Sequence, residues 1–571
     1  CIRDRGDTVR VAVAQFHVGA DIDRNLEKCL YWLDQASGCQ PDLVVLPEFC
    51  NHLSWYNDKQ HCFDVSVRLD GPFLRAIAAK AQALGIHVVV NCTVQRDNGE
   101  ATGSSLLYSD QGELLADNTK QIYIGHENDF LQRSTAEGPV VQTALGRAGL
   151  YACMDGVINE TPRCLALNGA QMILNSLNSF ATDEASLHIP VRAGENKVYV
   201  VAANKVGPLV PEEMVEGISA ATGIPPRFLD GAGESQVVAP DGEVLVRASL
   251  DREEFVYADI EPARADNKCR PDGTDIFASR RPELYAAIAQ NPAGQPLPAM
   301  QGVAELPAAV VTLDNPRDLD EALAAIAQAR AAGAKLVALP PLVPDTSDPQ
   351  ASAAFAEQVL ATVPGSCGEA VVTTSLVLPA GEGWQHCAVA IGGDGVLLRQ
   401  GQVHHSERFA WSELANGFGC VQLPFGRLAV LTSDDSIYPE SFRLLALAGV
   451  DVAAVPLSPL DDWELQTGLL ERSAENRINL LVAVDSTAHG PGFATQLQTD
   501  FTVMTEWQER DFDGLLSQPV WHRCEMSPGV MPVCLHPANA AHKVVSRNTD
   551  LLADRPWDLA GAIVRCNRPS P

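Results

Sequence analysis

The sequence lacks a CxxC pair, an HExxH stretch and any Cys/His spacing of the zinc kind, so a zinc ribbon or a metallo-hydrolase helix is excluded. It has no apolar run near the roughly 20 residues that a membrane-spanning helix needs. Basic side chains are scarce: 41 Lys and Arg stand against 72 Asp and Glu, leaving a net charge of −31. That balance argues against nucleic acid and against anionic membranes as partners, because both are bound through clustered Lys and Arg. Neither a GxxxxGKS/T phosphate loop nor an SGGxDS-like loop is legible, so an ammonia-consuming synthetase would have to be a separate protein. No initiator Met and no secretory segment open the chain at Cys1. Trimming is the expectation there, with a lipid-modified terminal Cys as the alternative. Fifteen cysteines, an odd number without paired spacing, suit a reducing compartment, and a cytoplasmic location is expected.

What is present is a composition of ordinary globular type, 46% hydrophobic and 20% charged over 571 residues, and a repeat. LPEF around Glu48 and ACMD around Cys153 are answered by LPPL around Pro341 and TSDD around Ser433. The interval from Cys153 to the Glu195-Asn196 pair equals that from Ser433 to Glu475-Asn476. Near the two ends TDIFASRRPELY answers TDLLADRPWDLA, so a whole domain is duplicated. The expected boundaries are a first domain over 9–290, a Pro/Gly/Ala-rich linker over 291–306 and a second domain over 307–565.

Within the first copy VRVAVAQF reads as a buried strand, NLEKCLYWLDQA as an amphipathic helix and PDLVVLPEF as a second strand. FLRAIAAKAQALG is helical, HVVVNCTV extended, and SSLLYSDQGELLADNTK a hairpin turning at Asp110-Gln111-Gly112. GRAGLYAC is a strand ending in a sharp bend before the next helix. Alternating helices and apolar strands predict α/β sheets covered by helices.

Glu48, Lys120 and Cys153 each fall at or just past the end of a predicted strand, the edge where open α/β sheets build their sites. A thiol attacks only as thiolate, so it needs a base for its proton and a cation for the charge that develops. Glu48 and Lys120 have those chemistries.

The ordered set LPEF, NTKQ, GLYACMDG, ENKVYVVAANKVG and RRPELY resembles the nitrilase superfamily of carbon–nitrogen hydrolases, from about Val9 to Tyr285. The resemblance implies a four-layer αββα sandwich, here two copies in tandem, working without a cofactor or metal. It implies Glu48 as general base, Lys120 as oxyanion stabiliser, Cys153 as the nucleophile of a thioester acyl-enzyme, Glu127 as the carboxylate that orients Lys120, and the Met154 amide as second oxyanion donor. The family commonly has an aromatic after the Cys and a basic residue before the Lys; Met154 and Thr119 stand there instead. Nitrile hydrolysers of the family read Cys-Trp-Glu and this chain reads Cys-Met-Asp, so a small-molecule amide or N-carbamoyl substrate is expected over a nitrile. A catalytically silent ligand-binding or scaffold protein, or a glutaminase supplying ammonia to a partner synthetase, are the alternatives.

In the second copy Pro341 replaces Glu48, Gln402 or Val403 replaces Lys120, and Ser433 replaces Cys153. Base, cation and thiol are gone, and this copy is expected to be inactive. His404 and His405 read as hydrogen-bonding loop residues, with a rebuilt Ser433–His pair as the alternative. The expected use of such a copy is an intramolecular pseudo-dimer, with association between whole chains left open.

Overall fold

The computed structural model describes residues 7–294 and 302–566. Most of the expected linker, 295–301, and Cys1 lie outside the described residues.

The first copy supplies strands β1 (Val9–Gln15), β2 (Leu43–Val45), β3 (His87–Gln95), β4 (Ala101–Tyr108), β5 (Leu114–Thr119), β6 (Val140–Thr143), β7 (Gly146–Ala152), β8 (Met172–Ser176), β9 (Tyr199–Ala203), β10 (Gln236–Val238), β11 (Val244–Arg247) and β12 (Glu254–Ile260). They form two six-stranded sheets, ordered β12-β1-β2-β3-β4-β5 and β11-β10-β9-β8-β7-β6. Parallel pairs occupy the middle of each sheet, where β1 meets β2 in the register Val11 to Leu43 and β7 meets β8 in the register Ala148 to Met172. The strands there are continuous apolar runs because both faces are covered. Val11, Val13 and Val45 of one sheet share a core with Leu150, Leu174 and Val201 of the other. The outer face of the first sheet packs through Ala12, Val44 and Val88 on Leu33 of α1 (Ile22–Ser37) and Ile77 of α2 (Pro72–Leu84). Asp21 caps α1 by accepting from Asp23 N and Arg24 N. Two further helices, α3 (Glu160–Leu167) and α4 (Ile189–Asn196), pack against the second sheet. The result is a helix, sheet, sheet, helix sandwich.

The second copy repeats this strand for strand. Its sheets are β17-β16-β15-β14-β13-β24 and β18-β19-β20-β21-β22-β23, with β13 (Leu306–Thr312), β14 (Leu336–Ala338), β15 (Val371–Ala380), β16 (Gly383–Gly392), β17 (Gly395–Gly401), β18 (Val421–Leu423), β19 (Gly426–Val430), β20 (Val452–Leu457), β21 (Asn479–Val484), β22 (Phe493–Gln496), β23 (Val520–Arg523) and β24 (Gly529–Leu535). The fold is α/β, a four-layer αββα sandwich present twice.

The compact units do not follow the contiguous boundaries 9–290 and 307–565. Unit 1 is Cys1–Asn267 together with Asp500–Ser517 and Val544–Ile563, and unit 2 is Lys268–Thr499 with Gln518–Lys543 and Val564–Pro571. Each copy's closing segment therefore belongs to the other copy's unit. In unit 1, Phe501, Phe512, Leu516, Val545 and Leu551 are buried in one cluster with Ile122, Met154 and Val157.

The Glu-Asn pairs that mark the repeat have a structural use. Arg163 donates to Glu195 O and Asn196 Oδ1, tying α3 to α4, and Arg443 makes the same two bonds to Glu475 O and Asn476 Oδ1.

Candidate active site

Glu48 lies three residues past the end of β2, Lys120 follows β5 directly and Cys153 follows β7 directly. All three are buried. Lys120 Nζ donates to Glu48 Oε1 at 2.8 Å and to Glu127 Oε2 at 3.0 Å. Glu127 Oε2 also accepts from Ile124 N at 3.2 Å, which fixes the carboxylate to the loop that carries the lysine. Phe49 and Tyr123 present their rings to Nζ at 5.7 and 5.4 Å, so the ammonium sits among aromatic faces rather than water. Glu48 Oε2 is buried and makes no hydrogen bond among the described residues, which leaves one acceptor oxygen of the carboxylate open to a proton.

Cys153 and Phe49 are held in the left-handed region, at φ +47° and +52°. Non-glycine residues there cost energy and persist only where their surroundings impose the shape. Asn175 on β8 supplies one restraint, its Oδ1 accepting from Cys153 N at 3.1 Å. Asp155 supplies another, for it accepts from Gln121 N at 2.9 Å, Ile122 N at 3.0 Å and Ala152 N at 3.2 Å. One carboxylate thus clamps the lysine loop to the cysteine bend. Met154 follows on the first turn of the short helical segment Cys153–Gly156, where backbone N–H groups have no intrahelical acceptor.

Charges act on one another strongly in this dry site. Burial pushes the Glu48 carboxyl up to about 7, against the pull of the Lys120 ammonium. Burial works against charge on Lys120, yet Glu127 and Glu48 together hold it well above the ordinary lysine value. Burial and then the Glu48 charge push the Cys153 thiol well up, with Lys120 opposing. The resting centre is therefore a neutral thiol beside a fixed cation and a carboxylate poised near neutrality. A base of that pKa can take a proton and return it at physiological pH.

Two residues not named from the sequence as site members belong here. Lys205 is buried, donates to Phe49 O at 3.3 Å, and is drawn down to about 8 by burial, with the Glu48 charge opposing. Glu184 opens a five-residue π-turn, Glu184–His188, and places Oε1 3.9 Å from Cys153 Sγ. The turn is anchored at Asp183, whose carboxylate accepts from Leu516 N at 3.0 Å and Ser517 N at 2.9 Å. Lys205 sits in the quoted ENKVYVVAANKVG motif, so a signal existed; Glu184 lies in a turn with no periodicity.

In unit 2, Pro341 stands three residues past β14 as Glu48 does past β2. Asp435 accepts from Val403 N and His404 N as Asp155 does from Gln121 N and Ile122 N. Gln402 is therefore the residue at the lysine position, and Val403 is not. Gln402 bonds His386 and His404 O instead. Ser433 Oγ bonds Ser458 and accepts from Arg408 Nη2 at 3.2 Å. His404 engages Asp435 and Tyr285 and stacks on Tyr438, and His405 pairs with Glu407 at the surface, so neither serves Ser433. Arg408 and Arg270 converge on the buried carboxylate of Asp434, and Arg270 Nη2 also meets Glu464 Oε1 at 2.8 Å.

For a metal, the donors that come within 4.8 Å of one another among the described residues are Glu305, Cys534 and His536, in unit 2. His536 Nδ1 already faces Leu497 O at 3.0 Å, and Glu305 is exposed. No helix among the described residues is long and apolar enough to cross a membrane.

The family model for carbon-nitrogen hydrolase matches this chain twice, over residues 10–268 and 286–489. The chain belongs to the carbon-nitrogen hydrolase family. The double match agrees with the two αββα units. Among relatives, a protein named nitrilase from Pyrococcus abyssi (strain GE5 / Orsay) is 28% identical over 48% of this chain and 99% of its own length. An (R)-stereoselective amidase from Pseudomonas sp is 26% identical over 48% of this chain and 92% of its own. Among solved structures, a mutant of the Nesterenkonia AN1 amidase from the nitrilase superfamily is 23% identical over 46% of this chain and 95% of that chain, with a TM-score of 0.39.

Proposed function

We propose that this carbon-nitrogen hydrolase cleaves a non-peptide amide or N-carbamoyl bond in unit 1, with Cys153 as nucleophile. The Cys153 S–H proton passes to Glu48 as sulfur bonds the carbonyl carbon. Charge on the oxygen is met by the Lys120 ammonium and the Met154 N–H. Collapse breaks the C–N bond, and the proton held by Glu48 goes to the departing nitrogen, leaving a thioester. Water then gives a proton to Glu48 as its oxygen bonds the acyl carbon; the C–S bond breaks, sulfur regains the proton from Glu48, and the product leaves as an acid that gives its own proton to solvent. Glu127 positions Lys120 and is a positioning residue.

The observation that carries this reading is the buried Glu48–Lys120–Glu127 set beside a cysteine held at φ +47°. An amide is favoured over a nitrile because Asp155 follows Met154 where nitrile hydrolysers have Trp-Glu, and because a relative is named as an amidase. Unit 2 performs no turnover in this scheme.

The test is intact-mass spectrometry and rate measurement with a panel of amides and N-carbamoyl compounds. The parent should form an acyl adduct on Cys153; Cys153→Ala, Glu48→Gln and Lys120→Ala should each lose several orders of magnitude in rate, about what removing one member of a concerted set costs. EDTA should not inhibit and iodoacetamide should. Cys153→Ala retaining more than about a hundredth of the parental rate would overturn the mechanism.

A further inference from the structure

Glu305, Cys534 and His536 come together in unit 2 at the place where unit 1 has an ion pair. Leu306 on β13 pairs with Leu535 on β24, and Ala538 N donates to Val303 O at 3.0 Å, so the antiparallel register runs on past the strand ends. That register sets Glu305 directly opposite His536. Cys534 precedes His536 by two residues, and the strand period puts all three on one face of the ribbon. Their donor atoms lie within 4.8 Å of one another, with Cys534 and His536 partly buried and Glu305 exposed. In unit 1 the matching pair is Val9 with Ile260, and the three places hold Thr8, Asp259 and Glu261. There Arg10 donates to Asp259 twice, at 2.7 and 2.9 Å. Pro307 stands in unit 2 where Arg10 stands in unit 1. The face that carries a guanidinium and its carboxylate in one copy carries a thiol, an imidazole and a carboxylate in the other.

We propose that Glu305, Cys534 and His536 form a zinc-class metal site, with water completing a four-coordinate shell. Thiolate, imidazole and carboxylate are each zinc donors, whereas magnesium and calcium take oxygen ligands and are poorly served by a thiolate. The imidazole is prepared for this role. His536 Nδ1 donates to Leu497 O at 3.0 Å, which leaves the lone pair on Nε2. Gln496 Nε2 meets that lone pair at 3.2 Å, and Gln496 Oε1 accepts from His522 Nε2 at 2.8 Å, so the neighbouring groups agree on the tautomer. A backbone carbonyl on the far nitrogen is the partner a metal-binding histidine ordinarily has. The ion takes the place of the Gln496 amide at Nε2. The backbone on either side is held closely as well: a Cβ on Gly302 would come 2.9 Å from Ala538 N, an approach that glycine alone permits. As zinc binds, the Cys534 S–H bond breaks, an S–Zn bond forms and the proton passes to solvent. The site ties the start of β13 to the end of β24 and takes no part in the chemistry at Cys153.

The test uses the full chain carrying Cys153→Ala, which removes the thiol of the unit 1 centre as a competitor, after EDTA treatment and dialysis. Calorimetric titration with zinc chloride should show one equivalent bound at this site. Glu305→Gln, Cys534→Ser and His536→Ala should each weaken that binding at least about hundredfold, since loss of a ligand costs more than loss of a group behind one. Cobalt(II) reports the donors directly. A near-ultraviolet thiolate-to-cobalt charge-transfer band should appear with the visible bands of a four-coordinate ion, and Cys534→Ser should abolish the charge-transfer band. With zinc at about a hundredfold excess over its dissociation constant the thermal midpoint should rise by about 5 °C or more, and by less than about 1 °C in each variant. Glu305→Gln alters an exposed side chain, so it keeps the comparison readable should a strand variant fail to fold. No stoichiometric zinc, an affinity indifferent to all three substitutions, or a cobalt spectrum without charge transfer overturns the proposal.

Discussion

Replacing Glu127 by Gln and Lys205 by Met should move the acid limb of the pH–rate profile in opposite directions. Glu48 Oε1 and Glu127 Oε2 bond the same Nζ, so the two oxygens lie within about 6 Å of each other. At an effective dielectric of about 20, two unit charges at that distance repel by roughly 3 kcal/mol, or about two pH units, and relaxation around the mutation leaves about one to two. Glu127 raises the Glu48 pKa, so Glu127→Gln lowers it from about 7 and keeps the base ionised to lower pH. Lys205 acts with the opposite sign, and its removal lets the Glu48 pKa climb.

The assay is kcat/KM for an uncharged amide from about pH 4.5 to 9, which reports the free enzyme's essential base. Where a variant turns over too slowly, the pH dependence of Cys153 alkylation by iodoacetamide reads the same proton transfer. The limb should fall by about one to two units in Glu127→Gln and rise in Lys205→Met, even though both variants are slower. Limbs that stay put, or that move the same way in both variants, would show that Glu48 is not the titrating base.

Ser433→Ala should leave the rate within about twofold of parental, inside the roughly ±0.5 kcal/mol of a neutral change, and a large loss would reveal a second reacting site. Asn175→Val, which copies Val455 of the second unit, should release the Cys153 bend and cost at least about a hundredfold in rate, the scale expected when a reacting group is misplaced by about 1 Å. A near-parental rate would mean that the bend holds itself. Truncation after Asn291 removes Asp500–Ser517 and Val544–Ile563 from unit 1, and should yield aggregated or inactive protein by size-exclusion chromatography and assay. A soluble, fully active fragment would show that those segments are dispensable.

The sheets were legible because their signal is local. VRVAVAQF, HVVVNCTV and GRAGLYAC are continuous apolar runs, and both faces of the central strands are indeed covered. Glu48, Lys120 and Cys153 were placed at strand ends by the same pattern, whereas Glu127 came only from the family resemblance. The choice between Gln402 and Val403 could not be made from sequence, because a loop has no period to set its register. The backbone bonds to Asp435 make it. Glu184 was missed for a similar reason, as a π-turn fits neither a helical nor a strand period. Arg270 carries no local signal in the sequence, because its partners Asp434 and Glu464 are 164 and 194 residues away. The exchange of closing segments was invisible because periodicity reports that a segment is buried and says nothing of which core buries it.

The two units also separate strain that serves the fold from strain that serves the site. Lys197 and Arg477, at the ends of corresponding helices, both hold positive φ, at 50° and 51°. That conformation terminates a helix whose packing both units keep, so both keep it. Cys153 and Phe49 are left-handed, whereas their counterparts Ser433 and Leu342 are not among the described residues with positive φ. The hydrogen bond that restrains Cys153 has gone in step, since Asn175 on β8 is replaced by Val455 on β20. Backbone strain of about 1–3 kcal/mol per residue persists only where the surrounding structure imposes it. Relaxation at the positions of Cys153 and Phe49, alongside retention at a helix end of the same fold, is what the proposed role of Cys153 predicts, since on that proposal the bend serves the site and not the architecture.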